Sequence, residues 1–157
     1  LTDFGCYGAN LITWLMDNER PLTVTAVTQQ IKPDKYPNVD DEATILLTYP
    51  KCQGIIQASW NWPHNRKDME VYGADGYANT MSNHSVKLKD TSAPATTVRS
   101  PARPKPYDDP FAYLAARVRG TAEADGLSSL ENNLIVTEIL DAARQSAKTG
   151  KTVTLTH

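Results

Sequence analysis

The strongest constraint on the fold is a period-two alternation repeated through the first half of the chain. In residues 22–27, Leu22, Val24 and Ala26 alternate with Thr23 and Thr25. In residues 43–49, Ala43, Ile45, Leu47 and Tyr49 share one side, with Thr44 and Thr48 opposite. In residues 54–62, Ile56, Ala58, Trp60 and Trp62 alternate with Gln57, Ser59 and Asn61. Side chains of a strand point alternately to its two faces, so each segment predicts a half-buried strand. The turn-like residues 49–54 predict a hairpin between the second and third. A shorter strand is expected at 69–72, a turn at Ala74-Asp75-Gly76, and edge strands at 77–81, 85–89 and 151–155.

Helical signals bracket these strands. In residues 10–18, Leu11, Trp14 and Leu15 fall on one face; Asp17, Asn18 and Pro21 end the helix, and Gly5 and Gly8 are expected to shape its entry. Ser128-Ser129-Leu130-Glu131 reads as a capping box with Ser128 as N-cap. Leu130, Leu134, Ile135, Ile139, Leu140, Ala143 and Ala147 then give a sustained face, closed by Gly150. A shorter helix should begin at Pro110 with Asp109 as N-cap and a stripe of Phe111, Leu114, Ala115 and Val118. Residues 91–109, rich in Pro, Ser, Thr and Ala, read as a long surface loop. Tight β–β connections with helices at both ends predict an α+β fold with a predominantly antiparallel open sheet and helices packed on one face. There is no β–α–β alternation and no G-x-G-x-x-G, so no dinucleotide (Rossmann) fold is expected in this chain.

Composition narrows the function classes. The 157 residues are 40% hydrophobic and 22% charged, enough for one domain over 1–157. A net charge of −2 gives no broad attraction to nucleic acid or to anionic lipid. The longest apolar stretch, 9–16, is far short of a membrane span. Cys6 and Cys52 are read as reduced thiols, no His stands at metal-ligand spacing from them, and His64, His84 and His157 are given no role. The Asn83-His84-Ser85 triplet matches a glycosylation acceptor and is given no weight. The opening Leu1-Thr2-Asp3 has neither an initiator Met nor a signal-peptide pattern. These residues are therefore expected to come from the interior of a longer protein. A cytoplasmic location is the default expectation, with export not addressed.

The densest candidate site is Asp3-Phe4-Gly5-Cys6-Tyr7-Gly8-Ala9-Asn10. A carboxylate four residues before a phenol shares its side of a helical turn. A phenol can move a proton on an alcohol oxygen while hydride moves on the adjacent carbon. A helix-start carboxylate with a packed tyrosine explains the same residues structurally. Asn10 and Gln29 are candidates for substrate hydroxyls, with backbone bonding and strand-end exposure as alternatives; Gln30 shares that position. Arg66, with Lys67, is a weak candidate for a cofactor phosphate or simply a solvated charge. Trp60, Trp62 and Tyr49 suit either a sugar-stacking platform or, since they share the alternating apolar face, the sheet core or a subunit interface.

This opening run resembles the D-x-G-x-[YH] segment that begins the C-terminal domain of the Gfo/Idh/MocA family of oxidoreductases, the glucose–fructose oxidoreductase and inositol dehydrogenase type. The resemblance continues through residues 21–27, 39–44, 54–60 and 71–76 and returns at 147–153, leaving out 82 to about 126. It implies a C-terminal substrate and oligomerisation domain of glyceraldehyde-3-phosphate-dehydrogenase-like type, built on a large open sheet. It also implies a separate N-terminal Rossmann domain carrying NAD or NADP and a catalytic lysine, a sugar-like or polyol substrate, and a homodimer or higher oligomer through the sheet face. By position, Asp3 and Tyr7 match the family's catalytic pair; Tyr at that place resembles the glucose–fructose oxidoreductase branch. Without the lysine and the glycine-rich loop, these 157 residues are expected neither to hold the cofactor nor to turn over. An oligomerisation or sugar-sensing module without catalysis is the alternative.

Overall fold

A computed structural model describes residues 1–82, 84–124 and 126–155. Asn83 and His157, noted above, lie outside the described residues. Two units make up the chain: one formed by Leu1–Trp62 with Ala124–His157, the other by Pro63–Glu123.

The first unit carries α1 (Thr2–Leu15), β1 (Thr23–Gln29), β2 (Glu42–Thr48), β3 (Gln53–Ser59), α3 (Leu130–Thr149) and β8 (Val153–Thr154). Its strands form one sheet in the order β3-β2-β1-β8, and every pairing is antiparallel. Register aligns Ala26 with Ile45 and Ile45 with Ile56, so the alternation read from the sequence becomes a continuous apolar face. Val24, Ala26, Ile45, Leu47, Tyr49 and Ile56 from that face pack with Ala9 of α1 and with Ile135, Val136, Ile139, Ala142 and Ala143 of α3. The opposite face, including Val27 and Ile55, stays exposed.

α1 starts earlier than its large apolar residues suggest. Its buried residues are Gly5, Ala9 and Thr13, while Trp14 and Leu15 are exposed and Leu11 is half-buried. A stripe of small side chains at i, i+4 and i+8 lets the helix lie close on the sheet. Gly5 and Gly8 therefore serve inside the helix rather than before it. A Cβ on Gly8 would stand 2.5 Å from Ile56 Cγ2, and one on Gly54 would stand 2.8 Å from Ile12 Cδ1. The helix and β3 thus meet through a glycine on each side. Asp17 and Asn18, both with positive φ, end the turn after α1; short polar side chains tolerate that backbone best after glycine.

α3 begins one residue later than the capping-box reading. Ser129, not Ser128, is the N-cap, and its hydroxyl accepts from Asn132 N at 3.1 Å. Leu130 and Leu134 are exposed, and the buried face runs through Asn132, Ile135, Val136, Ile139, Ala142, Ala143 and Ser146. Gly150 ends the helix at φ 67°, the left-handed cap expected of it.

The second unit holds a meander of β4 (Glu70–Gly73), β5 (Gly76–Ser82), β6 (Ser85–Asp90) and β7 (Thr96–Arg99), paired in that order, and α2 (Pro110–Val118). β7 lies inside the stretch expected to be loop; all four of its residues are exposed, so it shows no alternation. Asp109 caps α2 as expected, accepting from Ala112 N at 2.7 Å. The stripe of Phe111, Leu114 and Val118 nevertheless stays exposed, and no residue of α2 is buried. The α2 segment is tied down by other contacts: Arg117 Nη1 donates to Ala122 O at 2.6 Å, and the Tyr113 ring meets Tyr107 at 5.3 Å. The fold is α+β with antiparallel sheets throughout; among the described residues no parallel strand pair exists.

Candidate functional site

Asp3 and Tyr7 both lie within α1, one helical turn apart, so the two side chains leave the same side of the helix. Tyr7 is 57% exposed, and its ring stands 6.3 Å from that of Phe4. The phenol therefore faces outward from this unit and is not sealed in its core. Asp3 is also exposed, and its Oδ2 accepts a 2.9 Å hydrogen bond from the indole Nε1–H of Trp60.

Trp60 follows the end of β3, and a second layer of contacts fixes it there. Its backbone N–H donates to the Asp41 carbonyl at 2.9 Å, and its ring packs on Tyr36 with centroids 4.9 Å apart and planes at 57°. Asp41, only 3% exposed, organises this corner. Its Oδ1 accepts from Ile31 N at 2.8 Å and its Oδ2 from Lys32 N at 2.7 Å, which folds the β1–β2 loop carrying Tyr36 back on itself. Asn61 Nδ2 adds a 3.1 Å bond to Oδ1. Burial on its own raises the carboxyl's pKa, but the Ile31 amide, the Asn61 amide and the Lys32 amide together outweigh it and hold Asp41 below the ordinary range. Ser59 Oγ donates to Glu42 Oε2 at 2.5 Å and accepts from Asn61 N at 2.9 Å, closing the network under Trp60.

The other sequence candidates fall in different places. Asn10 Nδ2 donates to the Leu127 carbonyl at 2.9 Å and to Asn133 Oδ1 at 3.3 Å, joining α1 to the start of α3. Gln29 ends β1 with an exposed side chain, opposite Glu42 in the register. Arg66 belongs to the second unit, where its Nε donates to Asp68 Oδ1 at 2.6 Å. Tyr49 is 3% exposed and cannot serve as a stacking surface; burial above all raises its hydroxyl pKa well above the ordinary value. Trp60 does meet an aromatic ring, but that ring is Tyr36 of its own unit.

The structure thus brings Trp60 to Asp3, a pairing that the period-two reading of Trp60 did not give. No local signal in the sequence marks that pairing; the polar residues Asp40, Asp41, Glu42 and Asn61 at the ends of two adjoining strands mark only the corner that holds Trp60. Among the described residues, no group of His, Cys, Asp and Glu is arranged to hold a metal ion.

The fold matches several solved structures. One is a Thermotoga maritima protein named as an oxidoreductase, with a TM-score of 0.79 at 19% identity over 96% of this chain and 45% of that one. Another is the aldose-aldose oxidoreductase of Caulobacter crescentus complexed with glycerol, with a TM-score of 0.78 at 19% identity over 98% of this chain and 46% of that one. A third is GenD2 of gentamicin A biosynthesis in complex with NAD, with a TM-score of 0.61 at 16% identity over 99% of this chain and 47% of that one. The chain spans about half the length of each of these three structures. At such identities the likeness is one of fold. A search of curated proteins finds no match. The family model of the GFO/IDH/MocA C-terminal domain matches residues 1–79, which is 79 of 157 positions and includes α1, the β1–β2–β3 sheet and the Asp41 corner. The chain belongs to the Gfo/Idh/MocA family, as a C-terminal domain of that family.

Proposed function

We propose that this chain is the substrate-side domain of an NAD(P)-dependent oxidoreductase acting on a sugar, polyol or related hydroxy or keto compound. The observation that carries the reading is the outward-facing Tyr7 phenol one helical turn from Asp3. The exposed face of α1 then forms one wall of a cleft, and a separate cofactor-binding domain forms the other. The residues of this chain do not fit a dinucleotide. Among the described residues all strand pairs are antiparallel, and none of them forms a glycine-rich strand-to-helix turn to cradle a pyrophosphate. Arg66, a phosphate candidate together with Lys67, is paired with Asp68. In this reading the cofactor is held outside these residues, and the nicotinamide, when bound, supplies or accepts the hydride.

The chain's own residues manage the proton. In oxidation, the Tyr7 phenolate takes the proton from the substrate hydroxyl as the carbon loses its hydride; in reduction, the phenol returns it. Asp3 accepts a hydrogen bond from the substrate or orients a neighbouring cation, which fixes the reacting oxygen against Tyr7. The fold likeness to an aldose-aldose oxidoreductase and to a protein in complex with NAD supports the substrate and cofactor classes. The test is a spectrophotometric screen of this chain joined to its cofactor-binding domain, with aldoses and inositols and either nucleotide. Nucleotide reduction by the joined protein and none by the 157 residues alone is expected. Turnover by the 157 residues alone overturns the division of labour.

A second role for the same domain is favoured by Val27 and Ile55, 63% and 66% exposed on the sheet face opposite the one that α1 and α3, the described α-helices of this unit, pack against. We infer that this face pairs with a second copy. Light scattering should then give a mass of at least a dimer, and a strict monomer excludes it.

A further inference from the structure

The geometry points to Trp60 as a positioning residue for Asp3, a role that rests on the reading of Asp3 and Tyr7 as the working pair. Asp3 sits in the first turn of α1 and is exposed; a helix disfavours one χ1 rotamer but leaves such a carboxylate more than one other. The Trp60 indole fixes one of its two oxygens at 2.9 Å. An indole N–H donates and cannot accept, so it serves the carboxylate as a hydrogen-bond donor while adding no charge. With Oδ2 engaged, Oδ1 keeps its lone pairs for the substrate hydroxyl.

The indole is itself immobilised. The Asp41 carbonyl takes its backbone N–H at 2.9 Å, and Tyr36 covers part of its ring. Asp41 in turn holds the amides of Ile31 and Lys32, so the loop bearing Tyr36 and the end of β3 are locked by one buried carboxylate. Support of this kind holds a reacting group within the narrow angular range that catalysis needs. A tryptophan that only filled space would not require the indole–carboxylate bond.

Trp60→Phe keeps an aromatic ring against Tyr36 and removes the N–H. In the joined enzyme, with the aldose or inositol that gives the fastest nucleotide reduction, it should lower kcat by about tenfold and leave KM nearly unchanged. In an Asp3→Asn background the same change should alter kcat by less than about twofold, because the two residues act as one unit. Additive losses, or an unchanged kcat in Trp60→Phe beside a reduced one in Asp3→Asn, overturn the proposal. An unchanged kcat in Asp3→Asn alone overturns the catalytic reading of Asp3, and this proposal with it. An NMR measurement needs no turnover. The Trp60 indole N–H resonance of the ¹⁵N-labelled chain should shift and exchange faster in Asp3→Ala, which leaves no acceptor at that position, while those of Trp14 and Trp62 hold; an unmoved Trp60 resonance removes the bond on which the role depends.

Discussion

Replacing Gly8 with alanine tests how α1 is seated. In an ordinary helix interior this change adds up to about 1 kcal/mol of stability, because alanine has less backbone entropy to lose. Here the added Cβ meets Ile56 Cγ2 at 2.5 Å, Cγ1 at 2.9 Å and Cβ at 3.2 Å. Carbon atoms settle about 3.5–4.0 Å apart, so the overlap approaches 1 Å or more. Rotating Ile56 does not relieve it, since the Ile56 Cβ is fixed to the strand and β-branching restricts the rest. Overpacking of this kind costs about 1–3 kcal/mol. Less the helix gain, Gly8→Ala should destabilise the chain by about 1–2 kcal/mol, lowering Tm by about 2–8 °C. Gly5→Ala is the control. Its Cβ would meet the far methyl of Ile45 at 3.2 Å and Leu140 Cδ2 at 3.7 Å, both ends of side chains that can give way. That variant should be neutral or as much as about 1 kcal/mol more stable. Thermal and urea unfolding followed by circular dichroism give both values. A Gly8→Ala variant as stable as Gly5→Ala refutes the close approach of α1 to β3. The double variant Gly8→Ala with Ile56→Ala should lose less than the sum of the singles, since the new methyl enters the space that Ile56 leaves.

Three further perturbations address individual residues. Ser129→Ala should cost about 1 kcal/mol by removing the α3 cap, measured by urea unfolding; no loss would place the helix start elsewhere. Asn10→Ala should lower stability by about 1 kcal/mol through the lost Leu127 bond. In the joined enzyme it should leave KM unchanged, and a large rise in KM would return Asn10 to the substrate site. Asp41 has a depressed folded-state pKa, so the unfolded chain binds its proton more readily. Its contribution is therefore present above the unfolded aspartate value and is lost as pH falls below about 4. Unfolding free energy measured against pH should decline through that window, and the decline should shrink in Asp41→Asn; identical curves would remove Asp41 as the lock of the corner.

What the sequence made legible was what burial on one face writes into it. Val24, Ala26, Ile45, Leu47 and Ile56 alternate because the sheet has one covered side, and the β2–β3 pairing followed from the tight turn at 49–54; the β1–β8 pairing, which joins the two ends of the chain, had no such local signal. α1 was harder, since its buried stripe is Gly5, Ala9 and Thr13, residues that carry little hydrophobic signal, while its large residues Trp14 and Leu15 face outward. β7 was missed because an exposed edge strand of four residues needs no alternation. Leu130 misled the reading of α3: it stands at the first helical position, where the apolar period has not yet begun to matter. In the candidate site, the Asp3–Tyr7 spacing was legible from helical geometry and from the family resemblance. The Trp60–Asp3 bond was not, because it joins residues 57 positions apart through a fold that the local pattern does not encode.

The claim on which the account depends is that the Tyr7 phenol handles the proton at a cleft wall formed by α1. Tyr7→Phe in the joined enzyme removes one oxygen from a side chain that is mostly exposed, so folding should be unaffected. Loss of a general acid–base group should lower kcat by about a hundredfold or more, with Tm unchanged. Wild-type kcat in a normally folded Tyr7→Phe enzyme would contradict the account.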